Sequence, residues 1–139
     1  MIILRNLLYS LILMVGAMDA HSQFNDKDTI LKAEEAFVLS GFHSGNIITA
    51  SWQIAQNHYL YKDSIKVFVN NNLIEHEFIS LLNEEMIVDE FFGKSLVLKN
   101  TVVLKATYTK DNLSTAVIKI AYQGCAEGKY CYPKQLKTI

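Results

Sequence analysis

Ile47-Ile48-Thr49-Ala50-Ser51-Trp52-Gln53-Ile54 sets Ile48, Ala50, Trp52 and Ile54 against Ile47, Thr49, Ser51 and Gln53. Successive side chains of a strand point to opposite faces, so this period of two predicts a strand with one buried face. A large aromatic in such a row is far more often packing than function, which assigns Trp52 to the core. The same rule continues downstream. Residues 59–61 and 65–69 read as strands, with Ile65, Val67 and Val69 on one face. Residues 96–98, 102–108 and 116–122 are rich in β-branched and aromatic side chains. Asn70, Asn71 and Asn72 mark a turn, and Lys110, Asp111 and Asn112 predict a hairpin turn joining the last two strands. Residues 78–86 read as loop or short strand, although Glu84 and Glu85 are good helix formers. Short strands, frequent turns and no long helical period give an all-β sandwich.

The chain has 139 residues, half of them hydrophobic, enough for one domain with a packed core. Its formal net charge is −1 and no basic block appears, which excludes a nucleic-acid surface. The opening differs from the rest. One positive charge at Arg5 precedes an apolar run from Leu7 to Met18, and small residues follow at Ala17, Ala20 and Ser22. This is the pattern of a secretory signal peptide over residues 1–22, cut after Ala20 or Ser22, and the run is short of the ~20 residues a spanning helix needs. Residues 23–139 are then the mature, exported domain. Gln23 to Lys32 is polar and reads as an arm or loop.

Export matters because the only two cysteines, Cys125 and Cys131, lie in the mature part. In an oxidising compartment two nearby cysteines normally pair. Five residues separate them, and Gly124 and Gly128 permit tight turns. A stabilising bridge and a redox pair are both compatible with that spacing; the spacing alone favours structure. Two cysteines with His21, His43, His58 and His76 scattered along the chain do not make a zinc ligand set. Neither a metal nor an organic cofactor is expected.

Three separated motifs carry a resemblance. Trp52-Gln53-Ile54 is followed by Tyr59-Leu60-Tyr61; Asp89-Glu90-Phe91-Phe92-Gly93-Lys94-Ser95 comes next; Tyr122-Gln123-Gly124-Cys125-Ala126 and Cys131-Tyr132-Pro133 close the set. In order and spacing they resemble the N-terminal periplasmic domain of the disulfide interchange protein family DsbD, over most of the mature chain. The resemblance implies an immunoglobulin-like β-sandwich with both cysteines on one hairpin. It implies a thiol–disulfide oxidoreductase that passes reducing equivalents to thioredoxin-like periplasmic partners of disulfide-isomerase or cytochrome c maturation type. Cys131 would form the mixed disulfide and Cys125 resolve it. Phe91 would tip a cap loop that shields the cysteines, Asp89 and Glu90 would lie in that loop beside the thiols, and Tyr59 and Tyr61 would line the site. Carboxylates near a thiol would raise its pKa.

Without the resemblance, Phe91 and Phe92 read as core, Asp89 and Glu90 as a solvated turn, and Tyr59 and Tyr61 as a half-buried aromatic pair. The pattern departs from the family where a second proline gives way to Lys134 and where the glycine between the cysteines falls at Gly128, a step early. The family continues into membrane-spanning and thioredoxin-like domains, so a monomeric stand-alone domain reduced by a separate membrane electron donor is expected. Two other readings stay open: a non-catalytic secreted interaction module with a structural disulfide, and a truncated remnant whose closing strand is short or lost.

Overall fold

The structure is a computed structural model that describes residues 30–80, 83–110 and 112–139. The signal-peptide reading of residues 1–22 and most of the 23–32 arm lie outside the described residues. Residues Leu31–Ile139 form one compact unit. Among the described residues no helix is long and apolar enough to cross a membrane.

The alternating stretch that opens the reading is β2 (Ile47–Ile54), and Ile48, Ala50, Trp52 and Ile54 are its buried positions. It pairs on one side with β1 (Phe37–Ser44) and on the other with β9 (Thr101–Thr107), which also takes β6 (His76–Ser80). A second sheet has the order β13 (Gln135–Thr138), β10 (Ile118–Tyr122), β4 (Lys66–Val69) and β5 (Asn72–Ile74). Asn70 and Asn71 join β4 to β5 with φ of 48° and 66°, the left-handed pair that a two-residue hairpin turn requires and that asparagine tolerates. The third sheet runs β12 (Tyr130–Cys131), β11 (Gly124–Ala126), β3 (His58–Tyr61), β8 (Gly93–Leu98) and β7 (Glu84–Asp89). Among the described residues every pairing is antiparallel. The fold is the immunoglobulin-like sandwich expected.

Apolar faces of the first two sheets meet in one core. Trp52 is fully buried and meets Tyr122 edge-on with ring centroids 5.7 Å apart. Ile48, Leu104, Val67 and Ile120 are likewise sealed from solvent. The third sheet divides its side chains. Leu60 joins the main core, whereas Tyr59, Tyr61, Val97 and Cys125 form a second small cluster on the opposite face. That alternation within four residues of β3 turns the two tyrosines towards the cysteine.

One expectation needs correction. The hairpin expected at Lys110, Asp111 and Asn112 is not formed, because β9 and β10 belong to different sheets, and the link between them carries a 3-10 turn, Leu113–Thr115. Turn-forming residues mark a chain reversal but not its partner. Both strands have an apolar face, and here those faces oppose one another across the core. Residues 78–86, read as loop or short strand, hold the end of β6 and the start of β7. The closing strand is short but present: β13 pairs with β10 from Lys119 to Tyr122. The sequence reading also missed β1, whose Ser40, Gly41 and His43 dilute any alternation.

Candidate redox site

A three-residue strand, a tight turn and a two-residue strand bring the cysteines together. Gly128 takes φ 66° at the tip, and Cys125 lies directly opposite Cys131 in the ladder between β11 and β12. They form a disulfide with Cα atoms 3.9 Å apart. That is closer than the ~4.4–6.8 Å of most disulfides, because the residues face each other across adjacent strands. Cys125 is 1% exposed, while Cys131, on the outermost strand of the sheet, is half-buried.

The hairpin is anchored by its neighbours. Cys125 lies opposite Tyr59 on β3. The Tyr132 amide donates to the Gly124 carbonyl at 2.9 Å, and the Glu127 amide to the Asn57 carbonyl at 2.8 Å. Gly124 has no room for a side chain: a Cβ there would lie 2.3 Å from the Tyr59 carbonyl oxygen and 2.6 Å from the Phe37 ring. Tyr132, next to Cys131, donates to the Leu31 carbonyl at 2.9 Å and packs edge-on against Phe37.

One hydroxyl touches both sulfurs. Tyr61 Oη is 3.2 Å from Cys125 Sγ and 3.7 Å from Cys131 Sγ. Its proton goes the other way, to Asp89 Oδ2 at 2.5 Å. Tyr59 donates more weakly to the same oxygen at 3.5 Å. The other oxygen, Asp89 Oδ1, accepts the amides of Phe91 and Phe92 at 2.9 and 2.7 Å, folding the loop that joins β7 to β8 back on itself. Burial alone pushes the Asp89 carboxyl up, but the hydrogen bonds from Tyr61, the two amides and Tyr59 outweigh it and hold the group below the ordinary carboxylate range. Burial, reinforced by Asp89, pushes the Tyr61 phenol far up; burial likewise raises Tyr59. Tyr61 is therefore a neutral donor to a carboxylate, with its oxygen lone pairs left towards the sulfurs.

The loop between β7 and β8 packs against this arrangement. The Phe92 ring stands edge-on against Tyr61 with centroids 4.8 Å apart. Phe91 lines a cavity together with Tyr59 and Cys125. Both phenylalanines are 56% exposed, so the core reading of Phe91 and Phe92 is wrong. Of the residues singled out from sequence, Cys125, Cys131, Tyr59, Tyr61 and Asp89 converge. Glu90 and Phe91 sit at the exposed loop tip. Asp89 reaches the sulfurs through the Tyr61 hydroxyl rather than directly. Sequence reasoning missed Phe92, although it stands within the quoted motif. It also missed Lys99, which bridges Glu85 on β7 at 2.8 Å and Glu127, between the cysteines, at 3.3 Å. No sequence pattern marks a lysine that meets residues 14 and 28 positions away only after folding.

Known proteins resemble this chain over most of its length. The family described as thiol:disulfide interchange protein DsbD, N-terminal, matches residues 27–139. The DsbD of Haemophilus ducreyi is 35% identical over 135 residues, which is 96% of this chain and 22% of that protein. The chain spans about a fifth of the length of the curated relatives it matches. Among solved structures, the reduced DsbD N-terminal domain of Neisseria meningitidis superposes with a TM-score of 0.71 at 27% identity, covering 83% of this chain and 90% of that one. A complex between the DsbD N-terminal and PilB N-terminal domains of the same organism gives 0.65 at 26% identity, covering 82% and 88%.

Proposed function

Because the chain belongs to the DsbD N-terminal domain family, we propose that it is a periplasmic thiol–disulfide oxidoreductase domain, passing reducing equivalents through Cys125 and Cys131 to thioredoxin-like partners. The observation that carries this reading is the unequal burial of the two sulfurs around one shared hydroxyl. Cys131 lies half-buried on an edge strand, and Cys125 lies sealed behind it.

In the reduced domain, the Cys131 thiolate attacks a partner disulfide and forms a mixed disulfide. Cys125 then attacks Cys131 Sγ, the partner leaves as a thiolate, and the Cys125–Cys131 bond closes. Until a partner arrives, the Tyr61 oxygen accepts a thiol S–H, which favours the neutral thiol. The Asp89 charge, one hydroxyl away, disfavours the thiolate further. Phe91 and Phe92 restrict access until docking displaces their loop. Glu90, at the loop tip, adds a second negative charge.

The solved complex of a related domain with the PilB N-terminal domain supports protein partners. A separate membrane protein is the proposed electron donor, and export by the N-terminal signal the proposed route. The test uses cysteine variants mixed with an oxidised thioredoxin-like domain. Cys125→Ser traps the mixed disulfide on Cys131, and Cys131→Ser forms none. Equal trapping by both variants contradicts the assignment of attacking and resolving cysteine.

A further inference from the structure

Lys99 follows β8 directly, and its main chain is held in place. Its amide donates to the Asn83 carbonyl at 3.1 Å, and the next carbonyl, of Asn100, accepts the Ile54 amide at 2.7 Å. From that root the ammonium reaches Glu85 on β7 at 2.8 Å and Glu127 at 3.3 Å. The two carboxylates, Glu85 foremost, hold the ammonium above the ordinary lysine range against the effect of burial.

Glu127 stands in the turn that closes the disulfide ring. The Lys129 amide donates to the Ala126 carbonyl at 3.0 Å across Glu127 and Gly128, and Gly128 takes the left-handed φ of 66°. Among the described residues β12, beyond that turn, has two residues and pairs with β11 alone. With the sulfur bridge open, little ladder is left to keep Cys131 opposite Cys125. A side chain that grips the turn from the anchored end of β8 narrows the arrangements open to the reduced ring. Linkage makes the effect reciprocal: whatever the closed ring adds to the Lys99–Glu127 pair, the pair adds to the ring.

We propose that Lys99 is a positioning residue for thiol–disulfide exchange, holding the turn at Glu127 so that the reduced cysteines stay in place to close. The inference rests on the exchange reading of the pair. The step it favours is the resolving one. Cys125 gives its proton to solvent, and its thiolate forms a bond to Cys131 Sγ. The bond from Cys131 to the partner sulfur breaks, and the electron pair leaves on the partner thiolate. Over the whole exchange the two cysteines lose two electrons and the partner disulfide gains them. In that reading Asp89 and Tyr61 act on the ionisation of the thiols, whereas Lys99 acts on their separation.

The test equilibrates the protein with reduced and oxidised glutathione and reads the fraction present as the Cys125–Cys131 disulfide. A half-exposed ion pair is worth a factor of roughly 1.5–5. Lys99→Met is expected to lower the equilibrium constant for the disulfide about threefold, an upward shift in potential of about 14 mV for a two-electron couple. Glu127→Gln is expected to do the same, the two together no more than either, and Lys99→Arg to restore the wild-type value. Salt of about 1 M is expected to bring the wild type towards the variants.

The sign separates a tether from a bare charge. Removing an ammonium and removing a carboxylate near the thiols move a charge-driven equilibrium in opposite directions, whereas loss of a tether moves both the same way. Opposite shifts, or no shift in either variant, overturn the proposal. If Lys99→Met does not melt cooperatively, Lys99→Gln gives the same comparison. Exchange of the wild type with an oxidised thioredoxin-like domain is measured alongside. If that exchange proceeds while the Lys99 variants keep the wild-type equilibrium, the positioning role alone fails. If the wild type does not exchange, the exchange reading fails and the role with it.

Discussion

The Asp89 carboxylate accepts from two phenols on β3 and from two amides in its own loop, so one side chain joins the cap to the sulfurs. Asp89→Asn removes the negative charge one hydroxyl from the thiols. The Cys131 thiol pKa is expected to fall, seen as faster alkylation at neutral pH whose titration midpoint moves down. A midpoint that stays or rises contradicts the role given to Asp89. The same residue links stability to pH. Its folded-state value lies below the unfolded ~3.9, so its contribution is complete above that pH and is lost as pH falls through the folded value. Acid unfolding of Asp89→Asn, followed by circular dichroism, is expected to show a shallower decline below about pH 4. Gly124 answers to sterics instead. Gly124→Ala drives a Cβ into the Tyr59 carbonyl, and a loss of about 1–3 kcal/mol or more is expected from the urea midpoint. The residues of the quoted motifs were legible in the sequence. What each one touches was not, because Tyr61 and Asp89 are 28 positions apart and meet only through the third sheet.

In the proposed function the hairpin of β7 and β8 governs access. Its two phenylalanines stand exposed yet lean on the redox cluster, one against Tyr61 and one over the Cys125 cavity. Phe92→Ala is expected to raise iodoacetamide labelling of the reduced domain several-fold while leaving thermal melting nearly unchanged, since a half-exposed ring contributes little burial energy. Equal labelling rates contradict a shielding role. Strands with clean alternation, β2 above all, were readable, because one buried face writes its period directly into the chain. β1 and β13 were not. Edge strands carry polar and small residues on both faces, and β1 is further interrupted by Gly41, where a Cβ would strike the Ile139 side chain. Pairing was harder to read than existence: β9 and β10 look like a hairpin because they are consecutive, but each finds its partners in a different sheet.

At the scale of the molecule, stability and chemistry occupy different clusters. Trp52, Tyr122 and their neighbours hold the first two sheets together, while the cysteines sit with Tyr59, Tyr61 and Val97 on the far face of the third. Opening the small disulfide ring is expected to cost about 2–2.5 kcal/mol by chain entropy, less than a full core supplies. The reduced domain is therefore expected to stay folded, as the proposed shuttle must in both of its states. The measurement that tests this account most directly is the reduction potential of the Cys125–Cys131 pair, with residues 23–139 equilibrated in defined thiol buffers. A value among exchange proteins, roughly −120 to −270 mV, with rapid reduction by a thioredoxin-like donor, is the expected result. A value below about −300 mV with slow reduction would make the bridge structural and contradict the proposed function.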